Sequence, residues 1–566
     1  MTASVRGEST NATFVGASGK TGDTETSGAL VPDIAAGQLR VMDFSVESEH
    51  LVMERKWWTL VVVCVATFML LLDITIVVVA LPDIQRSLGA NFSQLQWVTD
   101  AYALALAALL LTSGSLSDRF GRRRIFVIGL VIFTLGSVLC GVAQDPNMLI
   151  ASRAIQGVGG AMLFSTSLAL LASTFHGKER GVAFGAWGAI TGVSVALGPI
   201  LGGLITTGIS WRGIFLVNVP FGVIAIVIAL ACVDESKSPH ARRIDWPGVL
   251  TFTVGLLALV YGLTEAGQRS WGDAVVVTSF IVAAVLLIAF VVIEMRVSEP
   301  MFDLSLFRTP TFVGGSIAAF TMNGSLFAML LYLVIYLQDA LGYTSLQTGV
   351  RLLLMSGCIM VFATISGRVS AHVPVRWLIG PGLLLVGVGL LLMMGITKDS
   401  NWTHLIPGLI IAGIGSGLVN PPLASTAVGV VEVHRSGMAS GINNTFRQVG
   451  IAVGIAVYGS IFSALVSSSM RDHLSSTPVA SRSSELSDAA HNGTIGQIIT
   501  TLPPADRAVV GEAVHSAFAD ALNTLFLVSG IVAIIGGLCA MALVRREDFV
   551  VSHAPHATQK PQGQPA

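Results

Sequence analysis

The sequence predicts an all-α polytopic membrane protein of fourteen transmembrane helices, built as two six-helix halves with an inserted pair. Three observations predict it: composition, the distribution of basic residues and an internal repeat. Of 566 residues, 53% are hydrophobic and 11% are charged, against roughly 25% charged in soluble domains. A span needs about 20 apolar residues, so fourteen would use about 280 and leave little for a soluble domain. The 60 glycines fit close helix contact in a bilayer. A net charge of −1 gives no electrostatic case for a nucleic-acid partner.

Apolar runs fall at 57–81, 95–115, 124–144, 148–173, 181–207 and 213–233, then at 246–266 and 274–295. Six more lie at 312–338, 346–367, 377–396, 405–428, 437–467 and 519–544. With a cytoplasmic N-terminus, roughly eighteen Lys/Arg fall in or beside inside segments and about four in short outside loops. Both termini are thus expected in the cytoplasm, and the chain in the plasma membrane. The polar loop at 468–518 is expected outside; long loops cross regardless of charge.

The repeat appears in two adjacent helices. Gly157-Val158-Gly159 matches Gly413-Ile414-Gly415, and Gly181-Val182-Ala183-Phe184-Gly185 matches Gly437-Met438-Ala439-Ser440-Gly441, both at an offset of 256 (413 − 157 and 437 − 181). This divides the chain into a half at 57–233, an inserted pair at 246–295 and a half at 312–544. Repeated halves with a midplane site between them characterise secondary transporters. The tails, 1–50 and 545–566, flank the membrane part; the first is rich in Ser, Thr and Gly and reads as disordered.

Taken in chain order, the first chemically informative residue is Asp73. It lies 16 residues beyond Trp57, roughly 24 Å along a helix. An ionisable group inside a span is costly and marks function by default. Asp100, early in span two, and Arg153, early in span four, fall at similar depth. The three are expected to form a charge cluster: Arg153 pairs with one carboxylate, and the other exchanges a proton or meets a cationic substrate. A structural ion pair is the alternative, as is an interfacial Asp100 beside Trp97 and Tyr102.

The loop after span two carries Gly114, Asp118, Arg119, Gly121, Arg122, Arg123 and Arg124. A carboxylate, a glycine turn and a basic cluster at a helix end can make a charge–dipole latch; the arginines alone would also serve as a topology anchor. In span five Gly188, Gly192, Gly198, Pro199, Gly202 and Gly203 permit close packing and a bend. Gln156 in span four, with Asn443, Asn444, Arg447 and Gln448 in span thirteen, either lines a cavity or bonds between helices. Glu294 is expected to be solvated near an inner end. The five cysteines are scattered singly, with no disulfide or metal spacing. A stretch at Gly16–Thr21 resembles half a phosphate-binding loop but lacks its first glycine and its strand.

These motifs carry a family resemblance. The loop Gly114–Arg124 resembles the signature between helices two and three of the major facilitator superfamily. Leu72–Pro82, with Val78 where asparagine is usual, is similar to the first-helix motif of its fourteen-span drug:proton antiporter branch, the EmrB/QacA-type multidrug exporters. Arg153–Gly160 resembles that branch's fourth-helix motif, and Gly188–Gly203 its antiporter motif. Trp211-Arg212 with Phe215, Asn218 and Pro220 fits the segment that follows. The resemblance covers about 57–545 and implies a major facilitator fold, no enzyme activity and no cofactor, with a proton gradient as the drive. It implies a monomer in the lipid bilayer that exports small amphipathic drugs or antibiotics, cationic ones among them. A proton-linked nutrient importer on the same fold is the alternative.

Overall fold

The computed structural model describes residues 55–549 apart from 176, 238–244, 268, 371, 432–435, 492–494, 496–497 and 500–501. The expected tail at 1–50 and all but 545–549 of the expected tail at 545–566 therefore lie outside the described residues. The described residues are helical throughout. In order the helices are α1 (Arg55–Leu88), α2 (Phe92–Phe120), α3 (Arg122–Gly141), α4 (Pro146–Thr174), α5 (Gly177–Gly208), α6 (Gly213–Leu216) and α7 (Asn218–Cys232). There follow α8 (Trp246–Ala266), α9 (Ala274–Arg296), α10 (Pro310–Met322), α11 (Ala328–Ile335), α12 (Ser345–Val369) and α13 (Arg376–Leu392). The last are α14 (Ile406–Gly429), α15 (Ser436–Ser475), α16 (Ser483–His491) and α17 (Pro504–Leu543).

Local chemistry starts these helices where the polar breaks fall. Asn91 and Gln94 form a reciprocal capping box at α2, and Thr344 and Gln347 form another at α12. Asp145 caps α4 ahead of Pro146, a proline position where no helix hydrogen bond is lost.

The span count departs from fourteen. Among the described residues, twelve helices are long and apolar enough to cross a membrane, or thirteen if the bent pair in α5 counts as one span. Two expected spans account for the difference. That at 181–207 is bent by 45° between Ala186–Ser194 and Leu197–Gly208, where Pro199 and its glycines weaken the helix. That at 377–396 stops at Leu392, before the positive-φ turn at Gly395. Its 17 residues span about 25 Å, short of a core of about 30 Å. Among the described residues the fold is thus an all-helical bundle of twelve spans, or up to thirteen, and not fourteen.

The 256-residue offset returns as packing. A Cβ on Gly157 would fall 2.6 Å from the Tyr102 carbonyl oxygen of α2; one on Gly413 would fall 2.6 Å from that of Met355 in α12. Gly159 abuts Gly129 and Phe133 of α3, and Gly415 abuts Gly382 and Val386 of α13. In both places small residues bring backbones together where lipid gives no hydrophobic drive for helix association.

Helices α8 and α9 pack on each other, with α8 also touching α2 and α15. Only 17% of the apolar window of α9 is covered by protein, which leaves most of it to lipid. Glu294, expected to be solvated, is 3% exposed instead. It accepts the Phe302 backbone N–H at 3.1 Å, because the chain after α9 folds back over the helix end.

The expected loop at 468–518 is also largely folded. Helices α15 and α17 have 40 residues each. Leu474, Leu486, Val510 and Ala517 are fully buried between them and α16. Period-3.6 burial of these residues makes a small apolar core from a stretch whose overall composition is polar. On its surface, a hydrogen bond from Arg482 holds the Glu485 carboxyl below its ordinary range.

Candidate functional site

The site grows from a charge pair that the fold seals. Asp73 of α1 and Arg153 of α4 form an ion pair, each 1% exposed. Gln156, one helical turn beyond Arg153, donates to Asp73 Oδ1 at 2.8 Å and accepts from Arg153 Nη1 at 2.7 Å. Ser137 Oγ accepts the second Gln156 amide hydrogen at 2.9 Å. Asn218 Nδ2 reaches Asp73 Oδ1 at 3.3 Å. Arg153 Nε donates to the Val98 carbonyl at 3.0 Å, and its guanidinium lies 4.3 Å from the Tyr102 ring centre. Five helices thus meet in one network built around a carboxylate and a guanidinium. A buried pair is tolerable only when its remaining donors and acceptors are satisfied in this way.

Of the three residues expected to cluster, the structure brings together two. Asp100 is fully buried, but neither of its oxygens has a hydrogen-bond partner. Tyr102 faces Arg153, and Asp100, two residues earlier, points about 200° away around α2. Gln156, expected to line a cavity, belongs to the sealed network and is 0% exposed.

A small apolar cavity of about 40 Å³ lies beside this network. Thr75 and Val78 of α1, Thr99 of α2, Pro199 of α5, Ser356 of α12 and Ile451 of α15 are among its walls. Among the described residues no charged side chain lines it. Beyond one end the helices close: Gln338 Nε2 donates to the Val79 carbonyl at 2.7 Å, and Ser345 donates to the Asp83 carboxylate. The Leu346 N–H donates to Thr207 Oγ1 at 3.2 Å. The motif glycines of α5 permit this closure. A Cβ on Gly203 would meet the Ser345 carbonyl oxygen at 2.5 Å, and one on Gly202 the Ile76 carbonyl oxygen at 2.9 Å. Gly188 and Gly192 face open space.

At the other end Arg122 pairs with Asp118 at 2.9 Å, a local contact one helical turn apart. Glu235, which sequence reasoning missed, caps α3: its carboxylate accepts the N–H groups of Arg123 at 3.1 Å and Arg124 at 3.3 Å. Anions at a helix N-terminus are favourable. Gly121 has φ +117°, and any Cβ there would strike Glu235. Arg119 lies over the neighbouring Phe120 ring, and nothing lies within 4 Å of a Cβ built on Gly114.

In α15, Arg447 Nη1 donates to Asn420 Oδ1 of α14 at 3.0 Å, and its Nε reaches Asn443 Oδ1 at 3.4 Å. Asn444 donates to the Ser440 carbonyl at 3.0 Å, and Gln448 Oε1 is buried without a partner. Asn420 was not anticipated; its signal is an amide set before Pro421-Pro422 in an apolar run.

A multi-helix bundle with a sealed intramembrane ion pair, a flanking apolar cavity and closure at one end defines a membrane transporter. The chain belongs to the Major Facilitator Superfamily, whose sequence pattern matches residues 63–455. It is therefore a multi-pass membrane transporter rather than an enzyme, and the described residues contain no group of three metal-ligating side chains. It is 37% identical to multidrug resistance protein Stp of Mycobacterium tuberculosis (strain CDC 1551 / Oshkosh) over 74% of this chain and 78% of that protein. It is 36% identical to puromycin resistance protein pur8 of Streptomyces alboniger, covering 74% and 84%. The tetracenomycin C resistance and export protein of Streptomyces glaucescens is 32% identical, covering 88% and 94%. A bacterial homologue of the human lysosomal transporter Spinster, solved in an inward-facing and unoccupied conformation, shares the fold. Its TM-score is 0.59 at 16% identity, covering 88% of this chain and all of that one.

Proposed function

We propose that this transporter is a proton-coupled antiporter that exports amphipathic drugs or antibiotics across the plasma membrane by alternating access. The sealed Asp73–Arg153 pair carries the reading. A proton reaching Asp73 would dissolve the pair, and five helices would lose their common anchor. Asp100, buried without a donor, is the second proton-accepting group. The arginine-rich helix ends and both termini lie in the cytoplasm, where the Asp118–Arg122 loop acts as a latch. The α5 glycines form the sliding contact, and the halves at 57–233 and 312–544 rock about the cavity, with the pair at 246–295 alongside. A single chain holds every group the cycle needs. The relatives named for resistance and export support the outward direction.

Everted vesicles acidified inside test this. Puromycin and tetracenomycin C, taken from the relatives' names, are the starting substrates, and dissipation of the pH gradient on their addition is the readout. Substrate should accumulate only while the lumen is acidic, and Asp73→Asn should abolish accumulation with the protein still folded. Undiminished coupled accumulation by Asp73→Asn overturns the assignment. Depletion of lumenal substrate would instead mark an importer.

A further inference from the structure

The charge that the cavity selects follows from what lies at its edge. Asp73 does not reach the cavity: its carboxylate is consumed by Arg153, Gln156 and Asn218, and its side chain is 0% exposed. Among the described residues no acidic side chain stands on the wall, which offers only hydroxyls such as Thr75, Thr99 and Ser356. A cation entering here would be stripped of water with only neutral hydroxyls to replace it.

The opposite holds for an anion. Ile455 and Ile451 line the cavity along one face of α15. The same face continues by a helical step of four to Arg447, on the side away from the closed end. Arg447 is enclosed by neighbouring helices and half-buried as a residue, as is Asn420. Among the described residues its hydrogen-bond partners are the neutral amide oxygens of Asn420 and Asn443. Among the described residues no carboxylate pairs with it. Arginine carries five donors in a planar fork suited to carboxylate, sulfonate or phosphate, and two amide contacts leave part of that fork unused. An apolar cavity, with a guanidinium one turn below it that pairs with no carboxylate among the described residues, offers separate contacts to the two ends of an amphipathic anion.

We propose that Arg447, positioned by Asn420 and Asn443, is an anion subsite at the rim of the cavity, and that the preferred cargo is an amphipathic weak acid. This rests on the transport reading for its purpose and departs from the cationic substrates that the sequence expectation included. Its test is equilibrium binding without any gradient, so failure of proton coupling does not touch it.

The probes are 8-anilino-1-naphthalenesulfonate and its uncharged parent N-phenyl-1-naphthylamine, titrated by fluorescence into the full chain in lipid nanodiscs, with empty discs subtracted. A charge-assisted contact predicts that the sulfonate binds roughly tenfold or more tighter than the parent. Arg447→Gln should remove that preference and Arg447→Lys should retain part of it. Asn420→Asp, which keeps the arginine and supplies an internal carboxylate, should also remove it. Equal affinity of the two probes in the wild type overturns the proposal. So does a sulfonate preference that survives in folded Asn420→Asp or Arg447→Gln protein.

Discussion

At the scale of single residues, the Asp73–Arg153 pair shows how burial makes two charges interdependent. Arg153→Gln leaves Asp73 without its counter-charge in a site closed to water, and breaking such a pair costs about 3–5 kcal/mol. The double variant Asp73→Asn/Arg153→Gln removes both charges and should recover a large part of that loss in thermal unfolding, although neither protein should couple protons. Equal destabilisation in single and double variants would mean that the pair is not the anchor described. The pairing was legible in the sequence because depth along a helix is arithmetic, at 1.5 Å per residue. The isolation of Asp100 was not legible, because rotation about α2 is set by which face Tyr102 presents to Arg153. Gln156 left two readings open for a related reason: one polar residue reads alike on a cavity wall and in a sealed network. Glu235 and Asn420 gave weak local signals, since their partners Arg123, Arg124 and Arg447 are remote in sequence.

At the scale of elements, close contacts in α5 fall at Gly198, Gly202 and Gly203, while Gly188 and Gly192 face open space. Its glycines let α1 approach on one side and α12 on the other, and its bend follows from Pro199 and Gly198. Gly203→Val would drive a branched side chain into the Ser345–Leu346 backbone and should prise α12 away. The closing contacts of Ser345 with Asp83 and Leu346 with Thr207 would then fail together. A cysteine at Ser345, 3% exposed in the closed arrangement, should react slowly with a membrane-impermeant thiol reagent and faster by roughly tenfold or more once Gly203→Val is added, given an opening cost of about 1.4 kcal/mol or more. Unchanged labelling would show that α12 is not held by this glycine contact. The boundaries of α13 were less legible. Its apolar run continues through Met393 and Met394, but Gly395 takes a left-handed turn that residue type alone does not announce.

At the scale of the whole molecule, membrane residence and the all-helical fold follow from apolar abundance, and the repeat offset foretold the matched glycine contacts. The number fourteen did not survive, because a span is defined by unbroken helical length and not by apolar content. The folded segment between α15 and α17 was hidden for the converse reason: its polar average conceals the buried face of Leu474, Leu486 and Val510. Leu486→Ala removes a side chain that is 0% exposed and should cost about 2–5 kcal/mol locally. Hydrogen exchange should therefore quicken in α16 and the adjoining ends of α15 and α17, with the Asp73 region unchanged. Spread of the effect into α1 and α4 would mean that the segment is structurally continuous with the transport core.

The length of those two helices also has a practical side. Forty residues each make rods of about 60 Å, roughly twice the hydrocarbon thickness. About half of each must stand clear of lipid or detergent. A pseudosymmetric bundle hidden in a micelle offers image alignment almost no landmark. Here a rigid helical turret breaks the symmetry from outside the belt, marking both the rotation and the polarity of every particle and giving antibody fragments a folded epitope to grip.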